Sequence, residues 1–217
     1  MMMNGRAGDA KPTRRRNSAP SSKSMRALPP GMPLLVGISI PTNIATAIFI
    51  WYLTPVIIVD AGGNVADVAR VVMLYYLAAV FVGPLAGILS DTRISPPVLI
   101  TVGGGTAAAA LLLAYQLESF WIHLFSVAVL GIGHALIRAP QLKMVLNMSQ
   151  ARPGLQRIFS ISDRVGALIG LGAGAILHAV AGSGALIVAV GILVSIGVVG
   201  FALSQMAALV REKGGAR

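Results

Sequence analysis

The 217-residue chain has no cysteine, only three histidines and only seven acidic residues. Without thiols there can be no disulfides, cysteine nucleophiles or thiolate metal sites. His123, His134 and His178 are scattered along the chain, so no metal cluster is expected, and nothing in the sequence calls for a cofactor. Charge is scarce too. Asp, Glu, Lys and Arg make up 11% of the residues, against about a quarter in a soluble domain. Residues 94–117 and 165–210 carry no charged side chain at all.

Hydrophobic residues make up 56% of the chain. Apolar runs of about 20 residues have the length that crosses a hydrocarbon core near 30 Å thick. The chain therefore reads as an all-α integral membrane protein with the lipid bilayer as its solvent. Six transmembrane helices are expected, at 33–59, 68–90, 96–116, 119–138, 159–181 and 184–209. Each is helical because a segment in lipid must satisfy its backbone hydrogen bonds internally. Pro41, Pro55 and Pro84 fall inside these spans and should kink or open them, since proline removes a donor and clashes one turn back.

Residues 1–31 are polar, basic and rich in Pro, Ser and Gly. They lack the apolar core of a cleavable signal peptide and cannot bury enough surface to fold alone. The expected organisation is a disordered basic tail or linker over 1–31, a six-helix domain over 32–210 and a short basic tail over 211–217.

The net charge of +10 raises the question of nucleic acid, but its distribution answers it. Seven of the 17 Lys/Arg lie in the first 26 residues, and others fall in the 91–95 loop, the 139–158 loop and the C-terminal REKGGAR. The alternate turns hold Asp60 and Asp67, Glu118, or no charge. Basic residues accumulate in cytoplasmic loops because they resist translocation. Both termini are thus expected in the cytoplasm, and no nucleic-acid partner is needed. Most turns are short enough to make antiparallel hairpins. A longer loop is expected at 147–158, broken by Pro153-Gly154. It divides the spans four and two, although a three-plus-three division also fits.

The 87–91 stretch, Gly87-Ile-Leu89-Ser90-Asp91, followed by Arg93, resembles the loop motif between the second and third helices of the major facilitator superfamily. Thr92 stands where that motif usually has a base, and Ser-Pro-Pro replaces its closing basic pair. MLYYLAAVFVGPLAGILSD (73–91) resembles the family's second helix, LGIGHALIRAPQLKMVL (130–146) its fourth and RIFSISDRVGALIGLGAGAIL (157–177) its fifth. The resemblance covers roughly 32–210. It implies one six-helix half of a twelve-helix carrier, with a nested three-plus-three repeat and most similar to a C-terminal half. It also implies that Gly87, Leu89, Ser90, Asp91 and Arg93 form a conformational latch, for which Arg138, Asp163 and Arg164 are candidate partners.

Polar residues deep in the spans are candidates for lining a central cavity near the midplane. They are Thr42, Asn43, Thr46, Trp51, Tyr52, Tyr75, Tyr76, His134, Arg138 and Gln141. Gly166, Gly170 and Gly174 recur on one helical face, with Gly172 nearby, and such small faces let backbones approach closely in lipid. The expected function is transport of a small solute by alternating access, together with a second six-helix half on the same or another chain. The expected location is the bacterial inner membrane. The competing reading is a facilitator-like sensor or anchor domain that does not transport. An intramembrane hydrolase built on Ser183 and His178 is disfavoured, because a serine in a short external turn lacks a protected cavity. The expected answer is not an enzyme.

Overall fold

The computed structural model describes residues 32–115, 120–151 and 154–215. The basic segment 1–31, the 117–118 turn with Glu118 and the last two residues lie outside these limits. The elements are α1 (Met32–Thr46), a π-helical stretch (Ala47–Leu53), α2 (Thr54–Asp60), α3 (Val65–Thr92), α4 (Pro96–Tyr115), α5 (Phe120–Ala151) and α6 (Leu155–Gly215). There is no strand among the described residues. Among the described residues, five stretches are long and apolar enough to cross a membrane: Leu35–Asp60, Val65–Thr92, Pro96–Tyr115, Phe120–Gln150 and Leu155–Ala207.

The first of these stretches is continuous but changes pitch near Pro55. Proline cannot donate to the turn before it, and the chain widens there. The backbone N–H of Thr54 donates to the Phe49 carbonyl, a five-residue step, and the Thr54 hydroxyl donates to the same oxygen at 2.7 Å. Pro41 and Pro84 lie inside helices that continue past them. At the start of α3, Asn64 Oδ1 accepts from the N–H groups of Ala66 and Asp67 at 2.8 and 3.2 Å. Asp67 Oδ2 accepts from the Asn64 N–H at 3.0 Å, completing a capping box. Arg70, a lone base on this side of the chain, pairs with Asp67 at 2.8 Å.

Two sequence expectations need correction. The fourth span does not end near 138; α5 runs on through Pro140 to Ala151, and the long loop expected over 147–158 is largely helix. Hydropathy marks where a helix leaves lipid, whereas the helix itself continues while its backbone and one packed face are satisfied. Gln141 and Val145 stay buried on that face. Likewise α6 extends to Gly215, past the expected end near 209.

Within α6, Gly182 has φ 77 and ψ 174, a conformation essentially reserved for glycine. Contacts on either side show that the chain doubles back there. Gly166 lies against Ile40 and Gly174 against Ile48, so this part runs parallel to the first stretch. Beyond the bend, Gly184 meets Tyr115, Gly191 meets Leu111, and Gly197 returns to Pro41. This second arm is therefore antiparallel to α4. The core between the helices holds Phe49, Ile50, Leu53, Ile100, Leu111, Leu130 and Ile137. In the bilayer these residues hold the bundle by close packing rather than by escape from water. Only 17% of the apolar window of α3 is buried, against 56% for the first stretch, so α3 has most of a face free.

Candidate functional site

A cavity of about 410 Å³ opens between the first stretch, α3, α5 and the first arm of α6. The first stretch contributes Asn43, Thr46 and Trp51. From α3 come Tyr75, Tyr76, Ala79 and Gly83, from α5 His134, Ala135, Arg138, Ala139 and Leu142, and from α6 Ala167. Thr42, Tyr52 and Gln141, expected on sequence grounds to line it, do not. The Thr42 hydroxyl donates to the Ile38 carbonyl at 2.6 Å within its own helix. Tyr52 turns to a different side of its helix, where its hydroxyl lies 3.0 Å from His178 Nδ1. Gln141 is buried elsewhere, and its Nε2 has no partner among the described residues.

Polar contacts follow α5 from one end to the other. Lys143 Nζ donates to Asp91 Oδ1 at 2.5 Å and to the Ser90 carbonyl at 2.8 Å. Five residues earlier, about 7.5 Å along the axis, Arg138 Nη2 pairs with Asp163 Oδ2. Next comes His134, whose Nδ1 is within hydrogen-bond distance of the Tyr75 hydroxyl (2.6 Å) and of Thr46 Oγ1 (3.0 Å). At the far end His123 Nε2 lies 3.1 Å from Thr54 Oγ1. Successive turns of one helix thus meet α3, α6 and the first stretch through side-chain hydrogen bonds. In lipid such bonds hold helices together and leave few polar groups unmatched.

Asp163 is the most heavily engaged carboxylate. Its side chain is only 10% exposed. Oδ1 accepts from the Ser39 hydroxyl and, at 3.0 Å, from Asn43 Nδ2, while Oδ2 takes the guanidinium. Asn43 is fixed in turn by donating to the Ser39 carbonyl at 2.8 Å. A buried charge is tolerated only when paired and hydrogen-bonded on every side, and here both conditions hold. The geometry makes Asp163 the anchor of a polar cluster that joins three helices. The Arg138 guanidinium also lies 5.5 Å from the Phe159 ring centroid, within cation–π reach.

Of the candidate latch residues, Asp91 meets Lys143 rather than Arg138 or Arg164. Arg138 and Asp163 pair with each other, and Arg164 is exposed. Lys143 was read from sequence as an ordinary loop base. Arg138 and Lys143 are five residues apart, about 140° around a helix carried through Pro140, so the one reaches α6 and the other α3. A shallower pocket of about 380 Å³ adjoins this pair, lined by Gly87, Ser90, Asp91, Lys143 and Asn147 among others. It shares Ala139 and Leu142 with the larger cavity. Leu89 is half-buried and Arg93 exposed.

The glycine face behaves as two sets. A Cβ on Gly166, Gly170 or Gly174 would sit 3.1 Å from the Ile40 carbonyl, 2.8 Å from the Ile44 carbonyl or 3.0 Å from the Ile48 side chain. Gly172 has no neighbour within that range. A second polar chain, Tyr52–His178–Ser183, ties the first stretch to the bend, with His178 Nε2 3.0 Å from Ser183 Oγ. Among the described residues, no group of three or more His, Asp or Glu is placed to hold a metal ion.

Apolar helices of membrane-crossing length define an integral membrane protein. Residues 35–215 match the Major Facilitator Superfamily, and the chain belongs to that family, whose members are transporters. Comparison with curated proteins finds no match.

Proposed function

We propose that this chain forms one side of an alternating-access carrier in a bacterial inner membrane, moving a small solute through the 410 Å³ cavity. On this reading the first stretch, α3, α4, α5 and the two arms of α6 on either side of Gly182 make six crossings. An even number puts both termini on one face, and the basic loops put that face in the cytoplasm. A second six-helix half, from another copy or another chain, closes the cavity against the exposed side of α3 and the first arm of α6. Asp91 and Lys143 then act as the cytoplasmic contact that opens and closes between states.

The observation that carries this reading is the cavity itself. It brings Asn43, Thr46, Tyr75, Tyr76, His134 and Arg138 from three elements into one opening whose walls are otherwise apolar. A sensor or anchor domain without transport gives no reason for an opening of that size lined by these side chains. The absence of native cysteine makes a direct test possible. Ala79→Cys and Ala167→Cys should each react with a membrane-impermeant maleimide applied from either face of oriented vesicles. Labelling from one face only, under all conditions, would sink the carrier reading and favour a static domain.

A further inference from the structure

The larger cavity offers no unmatched charge. Among the described residues that line it, Arg138 is the charged one, and Asp163 behind the lining balances it. Arg138 Nη2 pairs with Asp163, and Nη1 is buried away from the opening. Both Asp163 oxygens are engaged in turn, one by Ser39 and Asn43 and the other by Arg138. An ion entering the opening would leave its water shell and meet no free counter-charge. Burying a charge is costly unless it is paired and hydrogen-bonded, so this wall selects against solutes of either sign.

What the wall does offer is hydrogen bonding between neutral groups. Trp51 Nε1 donates to the Tyr76 hydroxyl at 3.1 Å. The hydrogen on that oxygen has no acceptor among the described residues, and Tyr76 is 45% exposed within the lining. An O–H whose oxygen already accepts a bond is polarised toward donating one. A second open group is linked to it through Tyr75. The Tyr75 and Tyr76 rings pack edge-on with centroids 5.0 Å apart, and the Tyr75 hydroxyl lies 2.6 Å from His134 Nδ1. Thr46 Oγ1 meets the same ring nitrogen at 3.0 Å. Both side-chain contacts of this imidazole among the described residues thus use Nδ1, and Nε2 is neither partnered nor sealed off. In the neutral ring Nε2 is a donor in one tautomer and an acceptor in the other. A hydroxyl answers both, because it donates and accepts, and it can equally accept from Tyr76. Around these groups the lining is Ala, Gly, Leu and aromatic rings, which suits an apolar body.

We propose that this wall takes an uncharged, hydroxyl-bearing organic solute with a small apolar body, its hydroxyls meeting the Tyr76 O–H and His134 Nε2. This deepens the carrier reading and rests on it. The test uses the full chain in lipid nanodiscs with Trp121 replaced by Phe, so that Trp51 is the remaining indole. The probes share one ring: benzyl alcohol, toluene, benzylamine and benzoate, titrated near neutral pH where the last two are ionised. Empty nanodiscs give the blank, since partition into lipid does not saturate and a site does.

Benzyl alcohol should quench Trp51 emission saturably and bind about tenfold or more tightly than benzylamine or benzoate, which must be desolvated without a counter-charge. It should bind about two- to tenfold more tightly than toluene, the range expected for one neutral hydrogen bond. Tyr76→Phe should bring benzyl alcohol down toward toluene. The four-probe series needs no substitution at the site, so it decides the question by itself. The proposal is overturned if benzyl alcohol shows no saturable binding, or if toluene or either ion binds as well as benzyl alcohol. Failure of benzyl alcohol together with two-sided cysteine labelling would remove the neutral hydroxylated class and leave the carrier. Saturable benzyl alcohol binding with one-sided labelling would remove the carrier and leave a binding site.

Discussion

Of the carboxylate–cation pairs among the described residues, the two built on α5 have nearly the same chemistry in opposite surroundings. Asp163–Arg138 lies within the bundle, its carboxylate side chain 10% exposed and supported by Ser39 and Asn43. Asp91–Lys143 lies at a helix end, its carboxylate side chain 65% exposed. Asp163 has lost most of its hydration and would be left a naked carboxylate if the pair separated, although the Arg138 side chain keeps 43% of its surface. The exposed pair exchanges freely with water and is worth little when made. One pair therefore fixes the geometry, while the other can open and close at small cost. On the proposed carrier reading, the first would hold the bundle and the second would open and close.

The most damaging way to break that contrast is to remove one partner of the buried pair. Arg138→Ala leaves Asp163 with Ser39 and Asn43 but no counter-charge. Breaking a fully buried pair costs about 3–5 kcal/mol, and the 43% exposure of the Arg138 side chain places this loss below that range. The expected outcome is a large fall in thermal unfolding temperature in mild detergent, read from Trp fluorescence. Removing both charges together, as Arg138→Met with Asp163→Leu, should recover much of the loss, because two apolar groups leave no orphan charge. A double variant no more stable than the single one would show that the cluster is not held by charge pairing.

The next effect is steric. In Gly170→Ala the new methyl carbon would lie 2.8 Å from the Ile44 carbonyl oxygen and 2.9 Å from Ala47 Cβ. The helices must separate, at about 1–3 kcal/mol. Gly172→Ala meets nothing within 4 Å and should leave the unfolding temperature unchanged or slightly raised. Equal losses at the two positions would show that the glycine face matters for the flexibility of α6 rather than for contact with the first stretch. Smaller again is Tyr75→Phe, which removes the hydroxyl 2.6 Å from His134 Nδ1. A single hydrogen bond of this kind contributes about 1 kcal/mol, visible as a modest shift in the same melt.

These residues also show what can be read without coordinates. Membrane residence follows from the uncharged runs, because lipid punishes charge and the runs are long. The four-residue spacing of Gly166, Gly170 and Gly174 specifies a common helix face, since side-chain direction repeats with the helical turn. The reversal inside 155–215 is legible in the Gly182-Ser183-Gly184 break in hydropathy. The end of α5 was not legible. Arg138-Ala-Pro140 has the appearance of a helix terminus, yet Gln141, Val145 and Lys143 each have a place in the bundle, and tertiary contacts outweigh a local breaker. The partners of Asp91 and Asp163 were hidden for the same reason. Which of several Arg and Lys meets which Asp depends on helix register across the bundle, and no local pattern encodes that. Trp51 and Tyr52 are neighbours whose side chains point about 100° apart on a helix, and one reaches the cavity while the other reaches His178.

The smallest change in stability is expected at the exposed pair, and there stability is the wrong quantity to watch. Lys143→Gln removes the cation but keeps a donor near the Ser90 carbonyl. The loss should be under about 1 kcal/mol and should shrink further as salt is raised. The same substitution should alter the balance between inward- and outward-open states, because a contact made in only one state shifts a two-state equilibrium by its full differential energy. In the Ala79→Cys background, the ratio of cytoplasmic to external maleimide labelling should move several-fold while the unfolding temperature stays nearly fixed. If both quantities move together, Asp91–Lys143 is a structural staple like Asp163–Arg138, and the contrast between the two pairs collapses. A moved ratio with an unmoved melt would mark the pair as the part of the bundle that works by letting go.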